Sequence, residues 1–111
     1  MNRKIIFYEN YFVEFYQEQD QKVKEKIQYV FELIKQIERV PEKFLKHLTG
    51  TDGLYEIRID YLSNIYRIFC CFDEGKLVVL FNAFQKKTQK TPQKEIEKAI
   101  VLKKAYFENK K

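Results

Sequence analysis

The chain has 111 residues, 45% apolar and 16% aromatic, which suits one domain with a packed core and excludes a disordered tail. No apolar run approaches the ~20 residues of a membrane span, and Ile5-Ile6-Phe7-Tyr8 behind Arg3 and Lys4 is too short for a signal sequence, so a cytoplasmic protein with no membrane partner is expected. The net charge of +5 is uneven, with 12 Lys/Arg against 13 Asp/Glu in residues 1–81 and nine Lys against three Glu in residues 82–111, which points to a polyanionic partner, nucleic acid or an acidic protein segment.

Lys4–Glu9, rich in β-branched and aromatic residues, predicts a first strand. A helical pattern begins near Tyr11, with Phe12, Phe15 and Tyr16 on one short helix. Asp20 reads as an N-cap. Val23, Ile27, Val30, Ile34 and Ile37 then recur at four- and three-residue spacing, predicting a long amphipathic helix that Pro41 ends. After Gly53 the period becomes two: Leu54–Asp60, Asn64–Phe72 and Lys76–Phe84 predict three strands of an antiparallel meander. Thr91-Pro92 opens a last helix over about 92–108, with Ile96, Ala99, Ile100 and Lys103 on its inner side. The expected fold class is α+β: an N-terminal strand and helical hairpin packed on an antiparallel sheet with a C-terminal helix, a single domain over residues 1–111.

Core pairing fixes a register. Placing Asp60 opposite Ile65 pairs Ile59 with Tyr66, Ile57 with Ile68 and Tyr55 with Cys70 on one face, and sets Arg58 opposite Arg67 on the other. Carrying Phe72 opposite Leu77 into the third strand pairs Ile68 with Phe81 and Tyr66 with Ala83, and puts Asn82 beside Arg67. Like charges directly opposite on a sheet cost up to ~1 kcal/mol. Either nearby acids such as Glu56 neutralise the arginines, or the two form an anion site on an open face; the second is the better account. From there "QKKTQKTP" brings Lys86, Lys87 and Lys90 to the rim.

That set suits RNA cleavage. An arginine fork matches two phosphate oxygens, and a lysine among other cations has a lowered pKa and can act as a general base. The ribose 2′-OH attacks its own phosphate, and the protein need only move protons and neutralise the phosphorane. Phe84 near Lys86, and Tyr66 beside Arg67, are placed to stack bases.

Other chemistries lack their residues. Cys70 and Cys71, adjacent in a strand, point to opposite faces and read as small core residues. His47 is the single histidine and there is no CxxC, so a structural zinc site is excluded. There is no P-loop, GxGxxG or HExxH, and no metal or cofactor is expected. His47, next to Lys46, reads first as a surface residue and second as an acid–base group.

"GLYEIRI" (53–59), "YRIF" (66–69), "VVLFNAFQKKTQKTP" (78–92) and the helix bearing Ile96 and Ala99 together resemble the RelE/HigB-type toxins of bacterial type II toxin–antitoxin pairs, within the RelE/ParE superfamily. The likeness covers about residues 42–100 by motif and the N-terminal strand and hairpin by layout. KKTQKTP is its most specific part. It implies a RelE-like, microbial-ribonuclease-type fold and a metal-independent mRNA endonuclease (mRNA interferase) that acts in the ribosomal A site and inhibits translation. It also implies a cognate antitoxin, of helix-turn-helix type in the HigB arrangement. Carried over by residue, Arg67 matches the key sheet arginine, Arg58 a basic position on the preceding strand, and Lys86 and Lys87 the basic post-strand position; these form the expected catalytic set. Lys46, His47, Asn82, Phe84, Lys90 and Tyr106 form the expected RNA-binding set. Tyr106-Phe107 occupies the region where many relatives use a tyrosine or histidine, and Lys103-Lys104 stands where an arginine is common. Two rivals remain, a ParE-type gyrase-inhibiting toxin and a non-catalytic basic nucleic-acid-binding domain.

Overall fold

Alternation within each strand, and the helix signals on either side of them, give a chain that runs β1 (Lys4–Phe7), α1 (Tyr11–Gln17), α2 (Gln21–Gln36), β2 (Leu45–His47), β3 (Tyr55–Tyr61), β4 (Asn64–Asp73), β5 (Leu77–Lys86) and α3 (Gln93–Asn109). This is seen in a computed structural model that describes residues 2–110. The sheet order is β1-β5-β4-β3-β2. β1 runs parallel to β5 and the other neighbours are antiparallel. The α+β architecture is as expected, but the N-terminal strand joins the sheet, which is therefore mixed. No helix among the described residues is long and apolar enough to cross a membrane.

Asp20 caps α2, its Oδ1 accepting the Val23 N–H at 3.1 Å. Val23, Ile27, Val30 and Ile34 are buried as expected, with Phe31 beside them. Ile37 departs from the stripe: it follows the last helical residue in extended backbone and is exposed. The α1–α2 pair covers one face of the sheet, over Ile57, Ile59, Tyr66, Ile68, Cys70, Val78 and Leu80. α3 covers part of the other face, where Ala99 and Leu102 meet Leu54, Phe69, Cys71, Val79, Phe81 and Phe84. Ile96, Leu102 and Tyr106 thus continue the inner side of α3 from Ala99, and Ile100, expected inside, is exposed.

Two helical layers explain the main departure from the sequence reading. The face carrying the arginines is open only in part: residues 66–71 of β4 are buried without alternation, because both sides of that strand are covered, while Arg58 on β3 keeps 28% of its side chain exposed. The β3–β4 register is the expected one, including Arg58 opposite Arg67. The β4–β5 register is not. Phe72 pairs with Val78 and Cys70 with Leu80, but Ile68 pairs with Ala83 and Arg67 with Phe84. Phe81 and Asn82 therefore share the single position opposite Phe69, a β-bulge that shifts the rest of the strand. Asn82 is consequently not beside Arg67. β5 also extends to Lys86, and β1 ends at Phe7, where Glu9 at φ 59° turns the chain into α1.

Cys70 and Cys71 are buried on opposite faces, one in each core cluster. Burial raises both thiols, Cys71 to about 11 in spite of the opposing pull of Lys103. Native protein should therefore leave a thiol-titrating disulfide reagent unreacted near neutral pH, and both cysteines should react once denaturant is added.

Candidate nucleic-acid interface

Three rows of side chains cross the arginine face of the sheet. Ile57, Ile59, Tyr66 and Ile68 point toward α1 and α2, so Arg58 and Arg67 point the other way. Pairing gives one row of Asp60, Ile65 and Lys86, a second of Arg58, Arg67 and Phe84, and a third of Glu56 and Phe69 with the Phe81–Asn82 bulge. Lys46 on β2 extends the third row, opposite Glu56.

The opposed arginines are compensated by carboxylates. Arg67, with only 6% of its side chain exposed, donates from Nη1 to Asp60 Oδ1 at 3.2 Å and to its neighbour's carbonyl, Tyr66 O, at 2.9 Å. Arg58 Nε lies 3.7 Å from Glu56 Oε1. Neither arginine's buried Nε has a hydrogen-bond acceptor. The two acids differ: the Asp60 side chain is 65% exposed and that of Glu56 only 7%. Glu56 was a foreseeable partner of Arg58. Asp60, two residues along the same face, carried the same alternation signal and was missed.

The loop after β5 is tied back onto this face at two points. Asn82 Nδ2 donates to the Glu95 carbonyl at 3.1 Å and to Glu95 Oε1 at 2.9 Å, fixing the first turn of α3 on the bulge. Thr91 Oγ1 donates to Glu56 Oε2 at 3.4 Å. Between these ties Thr88 Oγ1 bonds the Lys90 carbonyl at 3.0 Å, and Lys87 and Lys90 are exposed. Arg58, Arg67 and Lys86 thus share one face, with Lys46 on its flank and Lys87 and Lys90 on a loop anchored to it. Thr91 gave no signal in the sequence beyond preceding Pro92.

Five expected contact residues are placed elsewhere. Asn82 is buried in the bulge and spent on α3, with its Oδ1 unpartnered. Phe84 is opposite Arg67 but buried against Phe69, ring centres 5.5 Å apart, so it presents no free face for stacking; Tyr66 is likewise buried, on the far face. His47 pairs with Tyr55, its ring 5.2 Å away, and points to the α1–α2 side. Tyr106 donates to Asp73 Oδ2 at 2.7 Å. Asp73 is six residues from Arg67, or ~20 Å along the strand.

Tyr106 is an anchor for α3. The Asp73 carboxylate that it bonds pushes its hydroxyl up to about 12, and its ring packs edge-on to Tyr8 at 5.7 Å. Lys110 Nζ also reaches Asp73 Oδ2, at 2.8 Å. The Lys110 and Tyr106 hydrogen bonds together hold the Asp73 carboxyl below its ordinary 3.8. Tyr106→Phe should cost about 1 kcal/mol in chemical denaturation, one hydrogen bond with the ring retained. A depressed carboxylate stabilises the fold above its unfolded-state value and ceases to as pH falls through the folded one. The stability gap between wild type and Asp73→Asn should accordingly be constant above about pH 5 and close progressively below it.

Among the described residues no three His, Cys, Asp or Glu side chains cluster as metal ligands would. A cleft of about 540 Å³ lies between the 50–54 turn and the C-terminal half of α3, and none of the expected site residues lines it.

The family model for phage-derived protein Gp49-like (DUF891) matches residues 14–104, from α1 to the last turns of α3, with both arginines and the whole lysine loop inside the match. No curated protein matches the chain. The matched family is toxin-like and falls with the RelE-superfamily toxins, in keeping with the mixed sheet, the helical pair and the C-terminal helix. On a match that spans most of its length, the chain belongs to the Gp49-like family of phage-derived, toxin-like proteins.

Proposed function

We propose that the chain is the toxin of a type II toxin–antitoxin pair and that it cleaves mRNA on the ribosome, in the cytoplasm, through attack of a ribose 2′-OH on the adjacent phosphate. One observation carries this reading: Arg58 and Arg67 stand directly opposite each other on a face to which the lysine loop is tied. In the reaction the 2′-oxygen–phosphorus bond forms and the phosphorus–5′-oxygen bond breaks. The 2′-OH proton goes to a base, and the leaving 5′-oxygen gains one. The products are a 2′,3′-cyclic phosphate and a 5′-OH.

Arg58 and Arg67 neutralise the charge that builds on the phosphorane, each such donor being worth about 3–4 kcal/mol in a water-poor site. Asp60, mostly in water, can yield Arg67 Nη1 to a phosphate at little cost. Lys86 and Lys87 complete the positive charge at the reacting phosphate, and Lys46 and Lys90 hold flanking phosphates. The chemistry asks for no metal or small-molecule cofactor. The toxin-like family supports an antitoxin partner; in this reading it is of helix-turn-helix type and docks an acidic segment on the basic last thirty residues. A second reading, a nucleic-acid binder without catalysis, draws on the carboxylate beside each arginine.

Primer extension on a reporter mRNA in a reconstituted translation system, with a ribosome-free control, tests the proposal. Cuts that need ribosomes and leave a 2′,3′-cyclic phosphate are expected. Cuts without ribosomes would keep the nuclease and discard the ribosomal site. Intact mRNA would sink the nuclease, and a gyrase supercoiling assay would then test the other toxin class.

A further inference from the structure

We infer that the outer edge of β3 carries a second RNA-contact surface, where Tyr29 stacks a base and Lys26, Lys43 and Arg58 hold the adjoining phosphates. It deepens the proposed function by extending the RNA path outward from Arg58.

β2 pairs with β3 only as far as Ile57. Beyond it the strand edge is met by the Phe44 carbonyl alone, which accepts the Arg58 N–H at 2.8 Å. Above this gap α2 and the segment before β2 frame a cleft of about 200 Å³, lined by Lys26, Lys43, Phe44, Arg58 and Asp60. Tyr29 adjoins it, its ring edge-on to Phe44 at 6.4 Å. Lys26 Nζ lies 5.4 Å from the Tyr29 ring centre, and Lys43 Nζ 5.0 Å from that of Phe44.

Tyr29 is 54% exposed, and the core side of α2 is filled without it by Val23, Ile27, Val30, Phe31 and Ile34. A large ring left half in water, with Lys26 against one side of it and Lys43 over the neighbouring Phe44, is the arrangement that single-stranded nucleic acid uses, one base on the open side of the ring and the backbone on the cations. An acidic peptide would use the lysines but leave the ring idle. The surface also abuts the arginine row, since Arg58 belongs to both. Phe84 and Tyr66, the aromatics expected to stack, are buried; Tyr29 presents the face that they do not.

The test is fluorescence anisotropy of the full chain with a short labelled single-stranded RNA, 2′-O-methylated so that it is not cut, across a salt series. Tyr29→Ala should weaken binding about tenfold and Tyr29→Phe should bind as wild type, since the ring and not the hydroxyl does the stacking. Lys26→Ala with Lys43→Ala should lower the slope of log affinity against log salt by about 1.4, two phosphate contacts on a single strand. All three side chains are at least partly in water, so the variants should keep the wild-type circular dichroism. Wild-type binding by Tyr29→Ala, or an unchanged slope in the lysine double variant, overturns the inference. So does a loss confined to binding of polyglutamate, which would assign the surface to an acidic protein segment. Tyr29-dependent binding together with intact mRNA in the translation assay would discard the nuclease and keep this surface.

Discussion

Arg67→Ala is expected to lower ribosome-dependent mRNA cleavage by about 10²–10³-fold, the usual loss when one preorganised donor to a developing oxyanion is removed. The fold should survive the change. Arg67 is almost fully buried, yet its carboxylate partner Asp60 is mostly exposed. When the guanidinium goes, Asp60 rehydrates and no charge is stranded. What remains is the space of a buried side chain beside Phe84, which pairs across from Arg67, and the loss of one hydrogen bond to the Tyr66 carbonyl, together about 1–2 kcal/mol. That is a few degrees in thermal midpoint for a domain of this size. Arg67→Lys should recover only part of the rate, because a point charge cannot present two parallel donors to a phosphate as the guanidinium fork does. The measurement is the initial rate of cut-product formation at matched folded fraction. A rate within about twofold of wild type would remove Arg67 from the site.

What the sequence disclosed follows the degree of covering. The β3–β4 pairing was legible because the 61–64 turn is short and one face of β3 alternates cleanly through Tyr55, Ile57 and Ile59. The β4–β5 pairing was not. Phe69-Cys70-Cys71-Phe72 and Leu77-Val78-Val79-Leu80-Phe81 are apolar at every position, and in a strand covered on both sides no period remains to fix a register. The pairing is one residue off from the turn onward, where Asp73 and not Phe72 faces Leu77, and the Phe81–Asn82 bulge adds a second step. β2, three residues long, and the parallel docking of β1 are set by tertiary contacts and leave little local signal. The cationic members of the site were readable because unlike charge stands out in an apolar strand. Tyr106 and His47 were grouped with them by likeness and by closeness along the chain, and the sheet carries both away. Tyr29 was passed over because, on a helix, an exposed aromatic can be told from a core aromatic only once the packing face is known.

Arg58→Ala should destabilise the protein by about 2–3 kcal/mol in urea or guanidinium unfolding, more than Arg67→Ala, although Arg58 is the more exposed arginine. The asymmetry lies in the acids. Glu56 is buried, and apart from Arg58 its side chain has, among the described residues, only the long 3.4 Å bond from Thr91. Removing Arg58 leaves a buried carboxylate with no ion pair in place, since Lys46, opposite it on β2, would have to turn inward from a half-exposed position to reach it. Breaking a fully buried pair this way costs about 3–5 kcal/mol, and the 28% exposure of the Arg58 side chain lowers the figure. Adding Glu56→Gln to Arg58→Ala should restore most of the stability, because a neutral amide needs no counter-charge and its oxygen still accepts from Thr91. Glu56→Gln alone should cost less than Arg58→Ala, since a guanidinium already partly in water can take up more of it. The cycle should therefore close with a coupling of about 1–2 kcal/mol. If Arg58→Ala costs no more than Arg67→Ala, Glu56 does not depend on Arg58 and this account of the third row fails. The same double variant separates stability from chemistry. It folds and keeps the Thr91 tie that seats Lys86, Lys87 and Lys90, yet it lacks one of the two opposed guanidinium groups, so cleavage should stay low after stability has returned.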